Sequence, residues 1–139
     1  MRRAALLGDG WMPYLYSPRR YASSVARIRQ IADDAGRDLD LFDWYAFIFV
    51  SVDRDGRRAR QEAAAMMGGT YDQDFGALVD NVAAAGTPDE VVEKVEQYIA
   101  AGARHLIFLP ATTRTGGFDS IARSLTEEIV PRVRASMPR

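Results

Sequence analysis

The sequence contains no cysteine, a single histidine (His105) and a single lysine (Lys94) among 18 basic residues. The first absence excludes a disulfide framework, a thiolate nucleophile and a cysteine-ligated metal site. Charge of one sign is also missing. The 18 basic residues stand against 19 acidic ones for a net charge of −1, and the arginines are interleaved with carboxylates, so no patch suits nucleic acid or an anionic membrane. Neither is expected as a partner. The longest apolar run, Trp44 to Val50, is far shorter than the roughly 20 residues a spanning helix needs. Arg2-Arg3 is not followed by the apolar stretch of a signal peptide, and a cytoplasmic protein is expected. What is present, 47% hydrophobic and 27% charged residues, is the composition of an ordinary globular domain. One domain over residues 1–139 with a modest core follows.

The chain alternates strand and helix. Residues 1–11 read as the end of a helix running into a strand, with the Gly8-Asp9-Gly10 turn before a first strand over Trp11–Leu15. Ser17-Pro18 opens a helix, serine as N-cap and proline at the first helical position. Tyr21, Val25, Ile28, Ala32 and Ala35 then recur at helical spacing until Gly36 ends it. A second strand, Asp43–Val52, is apolar without polar alternation, as expected of a parallel strand covered on both faces. Asp53 is placed to cap the next helix, with Ala59, Ala63 and Met66 or Met67 as its stripe, fading at Gly68-Gly69. A further helical stretch is expected over Asp74–Ala85. Thr87-Pro88-Asp89-Glu90 is a capping box opening a helix that Gly102 closes. Leu106–Leu109 form a third strand stopped by Pro110, and a last helix runs from about Phe118 to Val133. About three parallel strands with flanking helices make an α/β chain, where a closed barrel needs about eight strands and roughly 250 residues. The chain reads as the last part of something larger.

Residues with chemistry to offer are few. The loop Ala111-Thr112-Thr113-Arg114-Thr115-Gly116-Gly117 follows a strand end. Its hydroxyls, its guanidinium and the backbone N–H groups that Gly116 and Gly117 leave at a helix N-terminus make it the best candidate for an anion site, the alternative being that a polar, glycine-rich loop is what any strand-to-helix connection looks like. His105 lies at the beginning of its strand and reads as structural. Asp9, between two glycines, reads as a turn former. Asp53 and Asp55, at a strand's C-terminal end, read first as helix caps. Neither a nucleophile elbow nor a dinucleotide fingerprint is present, since Gly8-x-Gly10 lacks the third glycine and a preceding strand.

Five pieces in order carry a resemblance: residues 3–11, the Ser17-Pro18 helix, the aromatic strand to Val52-Asp53, Gly86-Thr87-Pro88-Asp89-Glu90-Val91, and Gly102-Ala103-Arg104-His105-Leu106-Ile107-Phe108. Together they resemble the C-terminal end of the bacterial-luciferase-like monooxygenases. The resemblance implies a partial TIM-barrel-like unit equivalent to strands six, seven and eight. It also implies FMN or a deazaflavin cofactor, and hydride transfer or oxygen insertion on a small organic substrate. Cofactor contacts would fall to Thr112, Thr113, Arg114, Gly116 and Gly117, with Trp11 and Tyr14 either walling a flavin or substrate pocket or belonging to an aromatic core. Most other flavin contacts would come from strands this chain does not contain, so the isolated chain is expected to be inactive. The alternative is a non-catalytic module that self-associates. A partial barrel leaves strand edges open, so a homodimer or larger homo-oligomer is expected on either reading.

Overall fold

A computed structural model describes residues 1–71, 76 and 78–136. Strand β2 (Asp43–Val52) is the centre of a parallel sheet. Its Phe49 pairs with both Ala83 of β3 (Ala83–Gly86) and Leu109 of β4 (His105–Pro110), which puts β3 and β4 on opposite edges. Strand β1 (Gly10–Trp11) joins only where β2 begins, Gly10 against Asp43 and Trp11 against Trp44. The α/β class with a parallel sheet is as expected, and two details differ. The first strand is shorter than Trp11–Leu15, because Pro13 has no N–H to donate and Leu15 takes φ +55°, a turn that ends extended backbone. The second difference is β3. Of the helix expected over Asp74–Ala85, part lies outside the described residues. Within the rest, helix covers only the single turn of α4 (Val79–Val82), and Ala83-Ala84-Ala85-Gly86 form a strand. Alanine prefers helix, but a ladder of four residues along the end of β2 outweighs that weak preference.

The two faces of β2 have different fates. Trp44, Ala46, Ile48, Val50 and Val52 point into the main core, where Tyr21 and Ile28 of α2 (Pro18–Asp34) meet Val91, Val95 and Tyr98 of α5 (Pro88–Ala100). On the opposite face, Tyr45 and Phe47 are half-buried while Phe49 and Ser51 are buried. Helix α3 (Gly56–Tyr71) makes that difference by laying Ala63 and Met67 on Phe49, Ala83 and Ala111. Full cover on both faces, expected from the unbroken apolar run, therefore holds only for the C-terminal half of the strand.

Helix ends follow local chemistry. Ser17 Oγ accepts from the Arg20 N–H at 3.3 Å, and Gly36 at φ +67° lets the Arg37 N–H reach the Ala32 carbonyl at 2.9 Å, which ends α2 in a left-handed turn. The Arg37 guanidinium then donates to the carbonyls of Ala5 at 2.9 Å and Gly8 at 2.6 Å, capping helix α1 (Arg2–Leu7). The chain closes with α6 (Gly117–Ser124), a π-helical segment (Leu125–Ile129) and α7 (Val130–Ser136), burying Ile121, Leu125, Ile129 and Val133 on the core.

Candidate functional site

The loop after β4 starts where the Ala111 N–H donates to the Val50 carbonyl at 2.7 Å, at the C-terminal end of the parallel strands. Its donors converge on one atom, Glu62 Oε2. The Thr112 hydroxyl reaches it at 3.0 Å, the Thr113 N–H at 2.9 Å and the Thr113 hydroxyl at 3.0 Å, with Arg114 Nε at 3.8 Å. Helix periodicity puts Glu62 there: Ala59, Ala63 and Met67 are turned fully inward, and Glu62 lies beside Ala63 at the edge of that stripe. The Thr113 N–H is the main reason the Glu62 carboxyl sits below its ordinary pKa of 4.5. The two hydroxyls and Arg114 add to it, and desolvation opposes it.

Arg114 is shared between carboxylates. Its Nη1 lies 3.5 Å from Asp53 Oδ2, which also holds Arg58 Nε at 3.6 Å. Arg114 Nε is shut off from solvent and has no hydrogen-bond partner among the described residues. Asp53 Oδ1 accepts from the Asp55 N–H at 3.0 Å, and Asp55 Oδ1 from the Arg57 N–H at 3.0 Å. Asp55, immediately before α3, is thus the helix cap expected of Asp53. Gly116 takes φ +71°, and a Cβ on Gly117 would stand 2.5 Å from Thr112 Oγ1, so both glycines let the loop fold tightly onto the helix start. The N–H of Gly117, expected to be free for an anion, donates to the Arg114 carbonyl at 3.0 Å. Beside the loop, Asp53, Arg54, Pro88, Arg114, Ser120 and Glu128 border a cleft of about 220 Å³.

The aromatic candidates separate. Trp11 packs into the main core, its ring centroid 5.1 Å from Tyr21 and 6.4 Å from Trp44. It pairs with Trp44, whereas the loop follows the pairing of Val50 with Pro110, six residues or roughly 20 Å further along β2. Trp11 and the loop are therefore not brought together. Tyr14 lies on the other face, 5.5 Å from the Phe47 ring and 5.9 Å from Phe49. The left-handed backbone at Leu15 stands between Tyr14 and Tyr16, and Tyr16 turns back to Trp11 at 5.6 Å. Ser51, fully buried on the same face of β2 as Phe49, has no partner for its hydroxyl among the described residues. His105 stacks on Tyr45 at 4.7 Å, with Nε2 3.0 Å from Asp43 Oδ1, at the opposite end of the strands. Asp9 is fully exposed near Arg37. No sequence signal marks Glu62, because it meets the loop across 50 residues of chain.

The sequence model of the family described as "Luciferase-like monooxygenase" matches residues 1–105. A curated relative, the 5,10-methylenetetrahydromethanopterin reductase of Methanopyrus kandleri, is 23% identical over 77% of this chain and 40% of its own length. The solved F420-dependent tetrahydromethanopterin reductase of that organism superposes with TM-score 0.71 at 20% identity, over 95% of this chain and 47% of its own. An F420-dependent secondary alcohol dehydrogenase, solved with an F420-acetone adduct, gives TM-score 0.74 at 19% identity over 96% and 45%. The oxygenating constituent of 3,6-diketocamphane monooxygenase from Pseudomonas putida, in complex with FMN, gives 0.67 at 16% over 99% and 46%. The chain thus spans less than half the length of each of these proteins and shares their fold over that span. With the family match covering three quarters of its residues, the chain belongs to the luciferase-like monooxygenase family.

Proposed function

We propose that this chain is the C-terminal portion of an FMN- or F420-dependent oxidoreductase or monooxygenase acting on a small organic substrate, and that residues 112–117 form the grip for the cofactor's phosphate. The observation that carries this reading is the convergence of the Thr112 hydroxyl and of the Thr113 hydroxyl and N–H on one carboxylate oxygen, with Arg114 behind them. That donor set suits a phosphate oxygen, since charge-assisted bonds to an oxyanion are the strong class of hydrogen bond. Thr112, Thr113 and Arg114 would hold the phosphate, and Gly116 and Gly117 would let the helix start approach it. Tyr14 and Phe47 offer an apolar floor on the sheet face, beside Phe49, which α3 covers. The cofactor, when bound, supplies the redox chemistry. This chain's residues fix an anionic group at the strand ends and present aromatic surface beside it.

Orientation supplies much of an enzyme's rate, and the relatives carry more than twice this chain's length, so the chain alone is expected to show no turnover. A second reading, a self-associating module, is favoured by the outer edge of β4, which pairs only with β2 among the described residues. Titration of the purified chain with FMN and with F420, followed by fluorescence, separates the two. Stoichiometric binding weakened by Arg114→Ala supports the cofactor reading. Absence of binding supports the module, and substrate oxidation above a cofactor-only control would refute the expected inactivity.

A further inference from the structure

The atom at the focus of the phosphate grip is not a solvent molecule but Glu62 Oε2, delivered by α3. We infer that Glu62 is a built-in competitor at the loop, so that a phosphoryl group and the Glu62 carboxylate occupy the Thr112–Thr113–Arg114 donors alternately and never together. The inference rests on the reading of the loop as a phosphate grip and adds an internal occupant to it.

Donor capacity argues first. Each hydroxyl and N–H carries one hydrogen, and the hydroxyl and N–H of Thr113 and the hydroxyl of Thr112 all spend theirs on Glu62. A phosphate oxygen gains these donors only where the carboxylate gives them up. Charge argues the same way. Glu62 and Asp53 balance Arg114 and Arg58, so the seated carboxylate leaves a neutral cluster and its removal leaves one positive charge for an incoming anion. Burial sharpens both arguments, because Glu62 and Asp53 are each 17% exposed and Arg114 31%, and water screens such a cluster less than an open surface pair. Arg114 Nε, inaccessible to solvent and 3.8 Å from Glu62 Oε2, still has no hydrogen-bond partner among the described residues. The carboxylate thus leaves one neighbouring donor unsatisfied, as expected of a stand-in for a larger anion. The rest of α3 is anchored separately by Ala63 and Met67, so release of Glu62 does not require the helix to leave the sheet.

Inorganic phosphate is the probe, titrated calorimetrically into the full chain at constant ionic strength. Glu62→Ala should bind it about tenfold or more tightly than wild type, since the variant no longer surrenders hydrogen bonds to a charged group on binding. Adding Arg114→Ala to Glu62→Ala should abolish the gain. Glu62→Gln keeps the side chain's size and removes its charge, and it replaces Glu62→Ala should circular dichroism show the latter unfolded. Equal phosphate affinity in wild type and both Glu62 variants overturns the competition while leaving the grip intact. Failure of folded Glu62 variants to bind phosphate at all overturns the competition and the phosphate grip together.

Discussion

Tyr21 shows how one buried side chain sets a pH limit. Its hydroxyl donates to the Tyr45 carbonyl at 3.0 Å, and burial pushes its pKa from 10.0 to about 12, with Arg104 pulling the other way. The folded state holds this proton more tightly than the unfolded one. Its contribution is therefore complete below pH 10 and is lost as pH rises to about 12. Tyr21→Phe should lose about 1 kcal/mol at neutral pH with the hydrogen bond and should decline less steeply than wild type over the alkaline range. Urea unfolding followed by circular dichroism at several pH values checks this, and parallel curves would contradict it. Glu62 has the opposite sign. Its folded pKa is lowered, so its contribution is present above pH 4.5 and falls away on acidification, and Glu62→Gln should flatten that acid limb. Legibility at this scale depends on sequence distance. Thr112 to Gly117 could be picked out because a polar, glycine-rich turn after a strand is local information. Glu62 could not, because nothing around Ala59 and Ala63 distinguishes it from any carboxylate flanking a helix stripe. Trp11 was legible as an aromatic at a strand end, but which face it takes is decided by Tyr21 and Trp44.

Helix α5 depends on a cap that also ties elements together. The Thr87 N–H donates to Glu90 Oε2 at 2.7 Å, the Glu90 N–H to Thr87 Oγ1 at 3.4 Å, and Arg60 of α3 holds Glu90 Oε1 at 3.1 Å. Gly56 and Gly86 leave room for that carboxylate, since a Cβ at either would collide with Glu90 Oε2. Thr87→Ala should cost about 1 kcal/mol, the usual loss for a cap. Gly86→Ala should cost more, because it forces Glu90 out of both its cap and its link to Arg60. Thermal unfolding of the two variants measures the order, and a milder Gly86→Ala would contradict it. The capping box was readable from four consecutive residues. β3 was not, because an Ala-Ala-Ala-Gly run carries helix propensity and becomes a strand only against the end of β2.

For the molecule as a whole, the open feature is the outer edge of β4, which pairs only with β2 among the described strands. Tyr45, Leu106, Ile107, Phe108, Val130 and Val133, together with Arg104, His105 and Arg134, line a groove of about 550 Å³ between that edge and α7. Ile107 is 38% exposed next to half-buried Phe47. Unpaired parallel edges with apolar flanks associate readily, so sedimentation at micromolar concentration should show a dimer or larger closed assembly. Ile107→Asp should shift it toward monomer. A wild-type chain that stays monomeric would mean the cover α3 gives to Phe49 suffices, and that the exposed remainder is tolerated in water. The α/β architecture was legible because βα alternation and helix caps are repeated local signals. The partial cover of β2 was not, since it depends on where α3 comes to rest.

The π-helical segment at Leu125–Ile129 acts as a phase correction. Ile121, Leu125, Ile129 and Val133 recur strictly every four residues, and in an α-helix each such step overshoots one turn by about 40°. Three steps would carry Val133 about 120° away from the line of Ile121, out of the core. The wider i→i+5 turn unwinds part of that drift, so a side-chain period of four stays on one face. The tail of the molecule is accordingly sensitive to length more than to composition. Exchanging Glu127 or Glu128 should leave the phase untouched, whereas one residue fewer between Leu125 and Ile129 would swing Val133 off the core.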